Sequence, residues 1–524
     1  MTDVLLLVVG ATLVTAAARR AGLSAPIALV VTGLAVSFVP GVPDYHLDPH
    51  LALLVFVPPL VYSDALESSY LNLRANARPI GLLSVGLVLF TVVVVGVVAH
   101  AVIPGMPWAV AFVLGAVLAP TDAVAAVSIA RRLGLPRRIA TILVAESIVN
   151  DATGMTAFRL TVAVALGGAT SLLQGIGEFL LASCGGVATG LLLAALVRWL
   201  RRWLPDAVTE NAVSLIVPFA AYVIAESWHT SGVLAVLAAG LYLGHHSTGA
   251  SHEARLQERA TWRLTTCLLE SVVFALIGLQ LRPVVRVLHT TEPITLGGYA
   301  GGVLTAVLLA RICWIFPATY LPRRMSARIR ERDPSPPWQH PALISWAGIR
   351  GVVSLAAAFA VPPAMPDRDL LLFLAFSVVL GTLLLQGLTF PVVVRRIGLS
   401  QDDRQEHHDD LAEALAQDAA ARAAWTRVEE LITAGQGTTP GHVVEKLREL
   451  AEHRRHTAWE RLAARTRPED GETPTAAYRR LRREMLAAER QVFVRLCREG
   501  RINDEVLRRV MHDLDLEEAA LCRG

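Results

Sequence analysis

The run Ile139-Ala-Thr-Ile-Leu-Val-Ala-Glu-Ser-Ile-Val-Asn-Asp-Ala-Thr-Gly154 puts Glu146, Asn150 and Asp151 inside an otherwise apolar stretch. In a helix, Glu146 and Asn150 are one turn apart, as are Ser147 and Asp151. The two pairs lie about 100° apart around the axis and make one polar face. Ile142, Leu143, Ile148 and Val149 cover the rest. A carboxylate in lipid costs roughly 2.5–3.5 kcal/mol on insertion scales. Such a group is kept only with a partner, a watery cavity or a bound cation. From Arg138, Asp151 lies about 20 Å along the helix, past mid-depth of a bilayer for an untilted helix and near it for one that starts in the interface.

The surrounding sequence supports a membrane setting. Of 524 residues, 53% are hydrophobic and only 18% charged, against about 25% charged in soluble domains. Many separate runs approach the ~20 residues that cross a bilayer, which argues against a soluble α protein. The reading is an all-α polytopic membrane protein of about thirteen spans: 3–18, 25–40, 50–64, 78–101, 108–131, 138–166, 172–199, 209–226, 230–245, 263–281, 294–320, 341–361 and 369–395. Val4–Ala18 lacks a basic flank before it and reads as a first span, not a cleaved signal.

Arginines mark every second connection: Arg19-Arg20, Arg74/Arg78, Arg131-Arg132/Arg137-Arg138, Arg198/Arg201-Arg202, Arg255/Arg259/Arg263 and Arg323-Arg324/Arg328. The intervening connections are poorer in basic residues; Arg282–Pro293, with Arg282 and Arg286, fits least well. The positive-inside rule then sets the N-terminus outside and the C-terminal tail in the cytoplasm. Residues 1–396 form the membrane domain. Residues 397–524 form a helical tail of regulatory or dimer-stabilising character, broken near Gly435–Gly441 and Thr466–Pro474. A solvated, loosely ordered tail is the alternative.

Two spans carry interruptions, in Ala119-Pro-Thr-Asp-Ala123 and in Gly348-Ile-Arg-Gly-Val352. Proline removes a backbone donor and opens the helix. The interruptions fall seven spans apart, so the two spans run in opposite directions. Interrupted helices at corresponding places of inverted repeats point to a transporter's binding site. Carbonyls freed at Pro120 must be buried or line a cavity.

A carboxylate with nearby hydroxyl and amide oxygens suits a small hard cation. Withdrawing a carboxyl group from water favours its protonated form, so proton and cation compete for one group. The candidate cation- and proton-binding set is Asp151, Asn150, Thr121, Ser147, Asp122 and Asp64, with Asp151, Thr121 and Ser147 as direct ligands. The competing reading of these groups is a polar cluster that only locks helices together. Asp122 suits the positive end of a helix. Asp64 reaches the site from the cytoplasmic side or is an interfacial charge. Arg350 requires a carboxylate, for which Glu146 is the first choice, as a structural ion pair. Glu270 and Arg311 also fall in apolar spans, where they pair with each other or serve structural roles.

Gly297, Gly298, Gly301 and Gly302 suit close helix packing. His245-His246, His407-His408, His453 and His456 read as interfacial or solvated. Five scattered cysteines show no metal-ligand spacing. No phosphate-binding loop, dinucleotide fingerprint or zinc motif is present, which argues against an ATP-driven pump or an enzyme. Nothing suggests a nucleic-acid partner. The remaining classes are a secondary transporter, a cation channel, and a membrane receptor that signals through its tail.

Pro120-Thr121-Asp122, Glu146-Ser147-x-x-Asn150-Asp151-Ala152-Thr153 and Gly348-x-Arg350-Gly351-x-x-Ser354, in this order, resemble the sodium/proton antiporters of the monovalent cation:proton antiporter-1 family. The likeness covers residues 1–396. It implies a homodimer with an inverted-repeat fold and an elevator-type cycle in the plasma (inner) membrane, exchanging Na⁺ for H⁺, with Li⁺ or K⁺ as alternative cations and no cofactor. It implies that Asp151 binds the cation or the proton with Thr121 and Ser147, that Asn150 completes the Asn-Asp pair, and that Glu146 and Arg350 form an ion pair. One carboxylate at the pair, where electrogenic relatives have two, implies electroneutral exchange. Ala123 stands where the family commonly has proline, and Ala145 where glycine is usual.

Overall fold

The computed structural model describes residues 2–40, 49–122, 135, 137–167, 172–204, 206–247, 251–287, 292–398, 403–433, 440–466, 474–499 and 501–522. Among these there is helix and no strand. Contacts divide the chain into two compact units, Met1–Ser400 and Gln401–Gly524.

Among the described residues of the first unit, six helices are long and apolar enough to cross a membrane by length and composition: Ala77–Val102, Gly177–Arg201, Ala207–Ser227, His252–Gln280, Pro293–Met325 and Arg368–Ile397. Ala25–Ser37, Trp108–Leu118 and Gly232–His245 are shorter apolar helices. Arg137–Ala165 carries the polar face read from the sequence. The bundle is turned inside out relative to a soluble protein. Leu181, Leu192, Ile216, Val223 and Leu264 face outward, while Glu146, Asn150, Arg311, Arg350, Thr382 and Gln386 are buried. Helices suit that setting because they satisfy their own backbone groups. The polar interior then calls for a functional explanation.

Some helices approach to backbone contact. A Cβ on Gly33 would lie 2.5 Å from the Ala275 carbonyl oxygen, and one on Gly278 would lie 2.3 Å from that of Val30. Only glycine at both places lets Ala25–Ser37 lie flat on His252–Val287. Ala77–Val102 contains a π-helical segment at Leu82–Leu87. The indole of Trp314 donates to the Leu82 carbonyl at 2.9 Å, and Ser84 donates to the Glu146 carbonyl at 3.2 Å.

Two features differ from the sequence expectation. The connection read from Arg282 is helical as far as Val287, because the His252–Val287 helix runs 36 residues. Gly297, Gly298 and Gly301 have nothing within 4 Å of a built Cβ among the described residues, so no close helix contact falls on them there. Residues 123–134, which complete the fifth span, lie outside the described residues, as do the side chains of His407, His408 and His453.

The second unit is built from two antiparallel helix pairs. Asp403–Thr433 packs on Gly441–Thr466, and Pro474–Arg498 on Asp504–Cys522. Arg455 reaches Asp418 across the first pair at 2.6 Å. Arg482 holds both oxygens of Glu517 across the second, at 2.7 and 2.9 Å. Exposed pairs of this kind add little stability individually and chiefly set register.

Candidate ion-binding site

The two interruptions meet. The first helix ends at Leu118, and Pro120 has no amide to continue it. Because the helix does not continue, the carbonyls of Ala119 and Pro120 have no helical amide to accept from. Arg350 fills them, donating from Nη1 to both at 3.1 and 3.3 Å. The Ser354 hydroxyl adds a bond of 3.2 Å to the Pro120 carbonyl. In return, the Asp122 amide donates to the Ile349 carbonyl at 2.7 Å. The Arg350 amide donates to Thr382 at 3.1 Å. Each break thus satisfies backbone groups of the other.

The crossing is tight. A Cβ on Gly351 would fall 2.0 Å from Asp122 Oδ2, and one on Gly154 would fall 2.5 Å from the Pro120 ring. Gly351 immediately precedes the helix Val352–Phe359. The Asp122 carboxylate therefore sits at a helix N-terminus, as its charge favours.

Behind the crossing, Asn150 donates to the Thr121 hydroxyl in a short bond, and Thr121 donates to Glu146 Oε1 at 3.2 Å. Ser147 donates to the Thr121 carbonyl at 3.0 Å. The guanidinium on Glu146 belongs to Arg311, not Arg350. Its Nη1 and Nη2 lie 2.5 and 3.0 Å from Oε1 and Oε2, and its Nε bonds the Ile344 carbonyl at 3.0 Å. The expected Glu146–Arg350 bridge is corrected accordingly. Carbonyls stripped of their helix partners take up Arg350, so the bidentate carboxylate fork is left to the arginine of the neighbouring helix. Arg311 does not pair with Glu270.

An open pocket faces this crossing. Asp64, Asp122, Asp151 and Glu270 bring four carboxyl groups to its wall, with Thr121, Ser147 and Ser354 among the neutral oxygens. Asp64 thus shares a cavity with Asp151. Asn150 is not on that wall; it is buried behind it, and its Oδ1 has no hydrogen-bond partner among the described residues. Among the described residues, no arginine or lysine forms an ion pair with Asp151. No three His, Cys, Asp or Glu side chains there converge as metal ligands.

Further along Arg137–Ala165 the helix is tied down. Thr156 meets the Ser231 hydroxyl at 3.1 Å. Arg159 pairs with Glu226 and donates to the Tyr222 hydroxyl at 3.0 Å. Glu226 in turn accepts from the Gly232 amide at 3.1 Å.

Crossed, interrupted helices around a carboxylate-lined pocket, in a bundle with an apolar exterior, define a secondary transporter. Residues 5–396 match the family described as Sodium/hydrogen exchanger, transmembrane. A protein named uncharacterized Na(+)/H(+) exchanger Rv2287, from Mycobacterium tuberculosis, is 34% identical over 528 residues, covering 97% of this chain and 93% of the relative. The sodium, potassium, lithium and rubidium/H(+) antiporter of Bacillus pumilus is 31% identical over 409 residues, covering 73% of this chain and 60% of its own. In fold, the chain resembles the sodium proton antiporter MjNhaP1 from Methanocaldococcus jannaschii, with a TM-score of 0.56 at 17% identity, over 75% of this chain and 97% of that one. The chain belongs to the sodium/hydrogen exchanger family, whose members are transmembrane secondary antiporters of Na⁺ and H⁺ and not enzymes.

Proposed function

We propose that this protein exchanges cytoplasmic Na⁺ for external H⁺ across the plasma membrane, with both ions competing for Asp151. The carrying observation is that Asp151 lines the pocket at the crossing of the two interruptions with no arginine or lysine paired to it among the described residues. Loaded with either ion, Asp151 carries no net charge. Empty, it is a bare carboxylate, and moving that through the membrane costs roughly 2.5–3.5 kcal/mol. Such a penalty slows the empty transition on the order of a hundredfold, which couples the two fluxes. One carboxylate carrying one charge makes the exchange electroneutral. Thr121 and Ser147 supply neutral oxygens as bound water is shed. Asn150 and the Glu146–Arg311 pair hold Thr121 in register, and Arg350 fixes the carbonyls beside it.

The further reading is a homodimer of about thirteen spans in inverted repeats, cycling as an elevator, with a cytoplasmic tail and a role in pH homeostasis. In that topology Arg159, Tyr222, Glu226, Thr156 and Ser231 lie on the external side of Asp151. Their bonds support an arrangement closed to the outside and open past Asp64 to the cytoplasm. The Bacillus relative's name supports a cation range extending to Li⁺ and K⁺. A channel finds no support in the family.

The test is exchange in proteoliposomes with Na⁺, Li⁺ and K⁺, with and without an imposed potential. Saturable counter-flow unaffected by the potential is expected. Potential-driven, non-saturating flux points to the channel.

A further inference from the structure

A second cavity lies among the helices Ala77–Val102, Arg137–Ala165, Pro293–Met325 and Gln339–Trp346. Its wall is of two kinds. Leu83, Ile139, Ile142, Ile315 and Ile344 line one part and are buried. Arg78, Arg138 and Arg323 line the other, around the single carboxylate of Asp333.

The charges there do not balance. Arg323 is fully occupied: Nη2 lies 2.5 Å from Asp333 Oδ2, Nε bonds the Asp333 carbonyl at 3.0 Å, and Nη1 bonds the Thr319 carbonyl. Arg138 lies 2.6 Å from Asp333 Oδ1. Arg78 comes no closer to that carboxylate than 4.0 Å. Partial burial pushes the Asp333 carboxyl up, but Arg138 and Arg323 outweigh this and hold it below the usual range. It stays ionised, so among the described residues three guanidiniums face one anion and two positive charges remain over. Trp338 is exposed two residues beyond Pro336, which lines the cavity, and aromatic residues favour the membrane–water boundary.

We propose that this cavity binds an anionic phospholipid, with the phosphate at Arg78 and Arg138 and the start of an acyl chain against Leu83, Ile139 and Ile142. Basic pockets between membrane helices suit such headgroups. A free phosphate would use the arginines and leave the apolar wall uncovered. The helices that meet here also build the ion site. One carries Asp151, one carries Arg311, and one leads into the Gly348–Gly351 break. A lipid seated between them braces the ion site from outside its pocket.

The test is the melting temperature of the delipidated full-length protein in detergent. It is measured with added phosphatidylglycerol, with phosphatidylcholine of the same chains, and with inorganic phosphate. Transport is not read, so the result is independent of the exchange proposal. Phosphatidylglycerol should raise the melting temperature by several degrees, and the other two should not. Arg78→Gln should weaken phosphatidylglycerol at least fivefold in titration. Ala318→Phe, which fills the apolar part without touching a charge, should do the same and decides the matter if Arg78→Gln fails to fold. Equal shifts from both lipids, a shift from phosphate alone, or undiminished response in the variants overturns the proposal.

Discussion

Arg311 grips both oxygens of Glu146, at 2.5 and 3.0 Å, across a separation of 165 residues. Both side chains are almost wholly buried. Removing one partner of such a pair leaves an uncompensated charge, at about 3–5 kcal/mol. Arg311→Ala should therefore lower the melting temperature of the purified protein sharply. Arg311→Ala combined with Glu146→Gln should recover part of that loss, because the stranded charge is gone. Equal melting of wild type and Arg311→Ala would show that the pair does not hold the bundle.

Gly351 has no room for a side chain, since a Cβ would meet the Asp122 carboxylate at 2.0 Å. Gly351→Ala must push the two interruptions apart, at about 1–3 kcal/mol as overpacking. Exchange should fall at least tenfold while a folded, monodisperse protein remains by size-exclusion chromatography. Wild-type exchange in this variant would show that the crossing tolerates separation.

Asp333 makes a pH prediction with a definite sign. Its carboxyl is held below the usual range in the folded protein by Arg138 and Arg323, against its partial burial. A carboxyl depressed on folding stabilises above its unfolded value, about 3.9, and that contribution disappears as pH falls through the folded value. Asp333→Asn should thus melt lower than wild type by a constant margin between pH 5 and 8. The margin should narrow only below about pH 4. A margin that instead shrinks towards pH 8 would contradict the assignment.

The interruptions are legible in the sequence because proline at 120 and glycines at 348 and 351 act locally on their own helices. The Asn150–Asp151 pair is legible because polar groups stand out in an apolar run. The partner of Glu146 is not legible. Arg311 and Arg350 are both single cations in apolar spans, and spacing does not say which guanidinium reaches the carboxylate. The choice depends on the carbonyls opened at Ala119 and Pro120, which claim Arg350 first. The presence of Glu270 and Asp64 on one pocket wall likewise depends on how distant helices lie together. The glycines at 297–301 permit close packing without specifying a neighbour, and among the described residues none meets them.

Whether one carboxylate takes either cation or proton is decided by Na⁺-dependent exchange in proteoliposomes across a pH series. Competition at Asp151 predicts that the apparent KM for Na⁺ rises as pH falls, towards tenfold per unit, while the maximal rate at saturating Na⁺ stays constant, and that Asp151→Ala abolishes exchange in a folded protein. An apparent KM independent of pH, or exchange retained by Asp151→Ala, would contradict it.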